Sequence, residues 1–232
     1  MAKFVPVFIG AAVVAGTFLF VDGVVATNTE RNVSAELQRL EGLDIKPAVT
    51  MSGTPFIVSA LGGSIDSIRT EMIDVQEEGF GLVNKKSEAF DVEVPPAQIL
   101  SGNLQDMTAK RLVYTVRLDG VALGAQLGMT DLDIANPDDI SPSASPSAEA
   151  LLTGTPPGAS EKQQELVKLR IVDGVVRFQP VSGNDAFSWE ISSEKLPLTG
   201  RASHVFCGGG SIYIESELRD VRFDTEDFST DL

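Results

Sequence analysis

The chain has 232 residues, 43% of them apolar, which suits one domain or two small ones with a real core. Its 18 Lys and Arg face 33 Asp and Glu, giving a net charge of −15. A surface that acidic disfavours nucleic acid and offers anionic headgroups no general attraction, so any lipid contact must be mainly apolar. The single cysteine, Cys207, excludes an internal disulfide, and the fold must rest on its core.

The first feature in chain order is FVPVFIGAAVVAGTFLFV, Phe4 to Val21, a run of 18 residues without a charge. As a helix rising about 1.5 Å per residue it nearly covers a bilayer core. Lys3 precedes it, Asp22 ends it, and no Lys or Arg follows until Arg31. The positive-inside rule then puts the start in the cytoplasm and the remainder outside. Two readings stay open: a signal peptide cleaved near Val24-Val25-Ala26, or an uncleaved anchor, which the length of the run favours. Either sets residues 1–26 apart from a domain over 27–232. The expected location is the extracytoplasmic, periplasmic side of the cell membrane, anchored or released. No cysteine follows the run, which excludes lipoprotein-type attachment.

Thr27 to Gly42 predicts an amphipathic helix, a stalk if it continues from the apolar run. Thr27 or Asn28 would cap it, Gly42 would stop it, and Val33, Leu37 and Leu40 share one face. Lys46 to Gly53 predicts a short strand. Thr54 then caps a short helix, with Pro55 at its first position and Gly62-Gly63 at its end. Ser64 to Gln76 predicts a long strand, and a second follows Glu78-Gly79.

Three hairpins follow. In the first, Leu112, Tyr114, Val116 and Leu118 alternate toward Asp119-Gly120, a type I′ turn, with Val121, Leu123, Ala125 and Leu127 returning. In the second, Val167, Leu169 and Ile171 lead to Asp173-Gly174, and Val176 and Phe178 return. The third pairs 201–207 with 211–223 across Gly208-Gly209-Gly210. Residues 136–164, rich in Pro, Ser and Ala, read as a mobile insertion. The expected fold is α+β: a strongly curved antiparallel sheet wrapped around one or two helices, after the N-terminal membrane or signal helix. Helical material, long strands and an Asp-Gly hairpin in each half give a weak repeat signal.

Catalytic chemistry finds little support. His204 is the one histidine, and Ser203 and Cys207 lie at odd spacing from it, so strand alternation turns both away. Asp131-Leu132-Asp133 with Asp138-Asp139 fails the calcium-loop pattern at Ala135 and Asn136, leaving Asp131 to cap a helical turn. No phosphate-loop motif is present, and Gly208-Gly209-Gly210 lies between strands. The expectation is a protein that is not an enzyme and needs no cofactor or metal. What remains is apolar: long strands with one greasy face, plus the helix beginning at Phe56. Either this is an ordinary core, or the sheet leaves an elongated cavity for acyl tails, with the headgroup at its mouth.

At these residues a resemblance enters. Gly53-Thr54-Pro55-Phe56, then Leu61, Gly62-Gly63 and SIDSIRTEMIDVQ, resembles the actinobacterial LmeA-like phospholipid-binding family. RIVDGVVRFQP, Lys195-Leu196-Pro197-Leu198 and a closing hairpin extend the likeness over residues 20 to 224. It implies a tubular lipid-binding-like fold and a cell-envelope protein that carries or senses phospholipid, with the membrane and envelope-biosynthesis proteins as further partners. The expected tail-contacting residues are Phe56, Ile57, Leu61, Ile65, Ile68, Met72, Tyr114, Val116, Phe178 and Ile214. The chain departs from the family mainly in 136–164. The alternative reading is a non-enzymatic scaffold supporting envelope assembly.

Overall fold

The computed structural model describes residues 5–41, 43–53, 55–137 and 145–228, with backbone alone for 5–16, 18, 19 and 41. In chain order the elements are α1 (Val5–Glu41), β1 (Ala48–Ser52), α2 (Phe56–Gly62), β2 (Ser64–Glu77), β3 (Gly81–Glu93), α3 (Pro96–Ser101) and β4 (Met107–Asp119). They continue with α4 (Gly120–Leu127), β5 (Asp133–Ala135), β6 (Ser147–Gly154), β7 (Gln163–Val172), β8 (Val175–Pro180), β9 (Trp189–Ser192), β10 (Ala202–Gly208) and β11 (Ser211–Phe223).

The class is α+β, but the strands form two open antiparallel sheets rather than one. The six-stranded sheet runs β1-β2-β3-β4-β11-β10, and the five-stranded sheet runs β5-β6-β7-β8-β9. The chain divides into two compact units. The first holds Met1–Thr70, Ala89–Lys110 and Asp220–Phe228; the second holds Glu71–Glu88 and Arg111–Arg219 among the described residues. The units interleave along the chain, so they are not the two successive halves that the repeat signal suggested.

In the first unit α1 packs on α2, α3 and β1. Val33 and Leu37 are fully buried, as the helical spacing requires, and Phe56, Ala60, Ile65, Ile68 and Ile99 are buried with them. Each of these side chains other than Ala60 contributes about 1.5–3 kcal/mol. α1 is continuous through the expected junction of apolar run and stalk. The Phe4–Val21 run falls mostly outside the residues whose side chains are described. Among those described, no helix is long and apolar enough to cross a membrane. Gly42 and Thr54 likewise lie outside the described residues. α3 starts on Pro95-Pro96 and stops at Gly102, whose φ of +73° suits glycine.

In the second unit β7 and β8 pair through Leu169↔Phe178 and Val172↔Val175. Asp173 and Gly174 between them both take positive φ, 55° and 74°, the type I′ turn expected. β10 and β11 close the same way across Gly209 and Gly210. The other Asp-Gly pair does something else. Asp119 Oδ1 accepts the N–H of Val121 and Ala122, both at 2.9 Å, and so caps helix α4. Gly120 is needed for space: a Cβ there would lie 2.1 Å from the Leu132 carbonyl oxygen. The expected insertion at 136–164 is largely structured as well. β6 pairs with β7 from Ser147↔Arg170 to Gly154↔Gln163, while 138–144 lie outside the described residues.

Among the described residues, five other than glycine take positive φ, and all are aspartates: Asp74, Asp91, Asp106, Asp173 and Asp220. Asp tolerates this conformation better than most side chains. Asp74, Asp91 and Asp220 lie inside long strands, where such a residue marks a local bend.

Candidate functional site

Of the ten expected tail-contacting residues, Phe56, Ile57 and Leu61 lie on α2 and the other seven on strands of the two sheets. Phe56, Ile65, Ile68, Met72, Tyr114, Val116, Phe178 and Ile214 are all buried, Ile57 is half-buried, and Leu61 is 63% exposed. Phe178 belongs to the five-stranded sheet, where its ring meets Trp189 edge-on at 5.0 Å. Met72, Tyr114, Val116 and Ile214 belong to the six-stranded one. Ile57 is fixed by its backbone: its N–H reaches Asp22 Oδ1 at 2.7 Å and that of Phe56 reaches Asp22 Oδ2 at 3.0 Å.

Polar groups sit on the greasy faces in places that the sequence did not mark. Lys85 is 5% exposed and ion-paired with Glu77, and Ser87 is buried beside it in the alternation of β3. The clue was that alternation, Val83, Lys85, Ser87, Ala89, which puts a lysine on the buried face. Asp131 does not cap a turn. It accepts the N–H and hydroxyl of Thr155 at 2.8 and 2.9 Å, with Lys162 at 3.4 Å. The Thr155 N–H first, then its hydroxyl and Lys162, hold the carboxyl below its ordinary value of 3.8. Burial pushes the Cys207 thiol up to about 11.

One expected orientation is overturned. The pairing of β10 with β11 slips between Ala202 and His204, and the bulge turns Ser203 toward its neighbour. Ser203 Oγ lies 2.9 Å from His204 Nδ1 and 3.3 Å from the Glu215 carbonyl. Cys207 points elsewhere, toward the Ala135 carbonyl at 3.5 Å. Among the described residues His204 has no third group to orient it, and no three His, Cys, Asp or Glu converge as metal ligands.

Among the described residues, three cavities within the units bear on the site. In the second unit a pocket of about 250 Å³ on β2, β3, β4, β10 and β11 is lined by Met72, Ile73, Lys86, Arg117 and the stacked Phe206–Tyr213 pair. Its cations are engaged: Lys86 with Glu88 at 2.7 Å, Arg117 Nε with Ser211 Oγ at 2.9 Å. Another, of about 900 Å³, lies between the β7–β8 turn and Leu196–Arg201, with Arg201 held to Asp173 at 3.4 Å.

The third cavity is a groove in the first unit, about 820 Å³, running along α1 beside α3. Along α1, Phe20 and Val24 form its apolar end and Thr27, Asn28 and Arg31 its polar end, and Leu100 adds an apolar side chain from α3. Asn32 Nδ2 donates to the Ser101 carbonyl at 3.2 Å and ties the two helices together. The groove is amphipathic lengthwise, the chemistry that a polar lipid matches.

Two antiparallel sheets with few helices form an α+β architecture consistent with lipid-binding domains. The sequence model of the LmeA-like phospholipid-binding family matches residues 20–215, and the chain belongs to that family. No curated protein and no solved structure matches the chain. Membership supports phospholipid as the ligand and accords with the resemblance read from Gly53-Thr54-Pro55-Phe56 onward.

Proposed function

We propose that the chain is an extracytoplasmic phospholipid-binding protein of the cell envelope that carries or senses lipid and performs no catalysis. The observation that supports this is the family match over residues 20–215. The apolar run before it supports a place at the outer side of the plasma membrane, by anchor or after signal cleavage. Binding would draw on desolvation of acyl tails at about 0.8 kcal/mol per CH₂, which suits a chain whose charge of −15 repels anionic surfaces.

The test is native mass spectrometry of the full chain purified in non-ionic detergent and offered phospholipid vesicles. A defined lipid mass on the protein is the expected result. A clean apo mass, with no uptake, would overturn the carrier reading and favour the scaffold. The scaffold has one observation behind it: eight of the ten expected tail-contacting residues are buried in the protein itself.

A further inference from the structure

We propose that the α1–α3 groove seats a single phospholipid, with an acyl chain along Phe20 and Val24 and the phosphate at Arg31. This rests on the phospholipid reading above in its uncleaved, anchored form, since Phe20, Gly23 and Val24 precede the expected cleavage point, and gives that reading a place.

Phe20, Val24, Thr27 and Arg31 follow one another at four-, three- and four-residue spacing, so they line one face of α1. Eleven residues separate the ends, about 16 Å of helix, a length on the scale of an acyl chain. The volume of about 820 Å³ falls within the usual size of ligand sites. Phe20 and Val24 are 72% and 53% exposed, and Leu100, on the α3 wall of the groove, is 42% exposed. Burying those three rings and branches is what an acyl chain would accomplish.

The polar end argues for phosphate in particular. In a chain with 33 acids and 18 bases, Arg31 has no carboxylate partner among the described residues. Its neighbours one turn away on α1, namely Thr27, Asn28, Ser34 and Ala35, are uncharged. The adjacent Glu30 is occupied by the Met51 N–H at 2.8 Å. A guanidinium fork with no carboxylate on it suits a phosphodiester, and Thr27 and Asn28 add neutral donors beside it. All these residues lie within the matched segment.

The test uses the full chain in non-ionic detergent, with dioleoylphosphatidylglycerol and dioleoylglycerol as probes, read by native mass spectrometry. Gly23 lines the groove, and a Cβ there meets nothing within 4 Å. Gly23→Leu therefore fills the groove while improving helix propensity, and misfolding does not confound it. The expected results are a tenfold or greater loss of phosphatidylglycerol binding in Gly23→Leu, and a comparable loss in Arg31→Gln that spares dioleoylglycerol. If the wild type binds lipid and both variants match it, the groove is not the seat, while the phospholipid reading stands. Loss in Gly23→Leu alone overturns the phosphate assignment. If Gly23→Leu loses vesicle flotation but keeps lipid uptake, the groove meets a bilayer surface and the proposal falls. Absence of lipid on the wild type overturns both readings together.

Discussion

The Asp22 carboxylate and the backbone N–H of Ile57 meet at 2.7 Å across 35 residues of chain, and the second oxygen of Asp22 takes the N–H of Phe56. α2 has Pro55 at its cap position, which supplies no side-chain hydrogen bond. Asp22 therefore does for α2 what a capping residue of its own would do, and its charge sits at the favourable end of the helix. Asp22→Ala is expected to cost about 1 kcal/mol of stability, and Asp22→Asn less, because the amide keeps one acceptor. Denaturant unfolding at constant m-value measures both. A change within error for Asp22→Ala would mean that α2 is held by packing alone.

Gly120 is expected to be intolerant for a reason unrelated to turns. A side chain there drives into the Leu132 carbonyl, which is backbone and cannot swing aside. Gly120→Ala should cost about 3 kcal/mol. Gly158, with φ of +82° and open space around it, provides the contrast. Gly158→Asn should cost about 1 kcal/mol or less. Thermal melts of the two variants side by side measure the difference.

Asp131 should couple stability to pH. Its folded carboxyl titrates below the ordinary 3.8, because the Thr155 N–H and hydroxyl favour the ionised form. A depressed carboxylate contributes fully above the unfolded value and loses its contribution as pH falls through the folded one. Asp131→Asn should therefore melt below the wild type at pH 7, with the gap closing as pH falls below the ordinary carboxylate range. A gap independent of pH would show that shape, not charge, links Asp131 to Thr155.

Cys207 should be chemically silent. Burial raises its thiol to about 11, so roughly one molecule in 10⁴ is thiolate at pH 7. Ellman's reagent should label the native chain at least 100-fold more slowly than the chain in urea. Fast labelling of the native protein would place the thiol at an accessible surface.

Much of this architecture is written in local chemistry. Asp173-Gly174 between alternating strands gave the β7–β8 hairpin, and Val33 with Leu37 gave the buried face of α1. The failures share a cause. Asp119-Gly120 carries the same dipeptide, and Val121, Leu123, Ala125 and Leu127 alternate behind it. The decisive contact, Gly120 against Leu132, is tertiary and leaves no mark on spacing. Residues 147–154 look like linker because they lie in the stretch 136–164, rich in Pro, Ser and Ala. They become a strand because β5 and β7 supply partners on both sides. Ser203 and His204 meet because of one bulge, which moves a side chain to the other face without altering the residues themselves. At the site, the greasy strand positions were legible as buried. The α1 groove was not, because it depends on α3 lying beside a helix face whose residues look unremarkable in series.

The left-handed aspartates bear on the net charge itself. Five of the 33 acidic residues occupy positions where the backbone asks for Gly, Asn or Asp. Changing all five to Asn would bring the charge from −15 to −10 (−15 + 5) while respecting every bend they occupy. A third of this chain's excess negativity thus sits where the backbone turns left-handed, so one set of side chains both shapes its corners and adds to the field that repels anions.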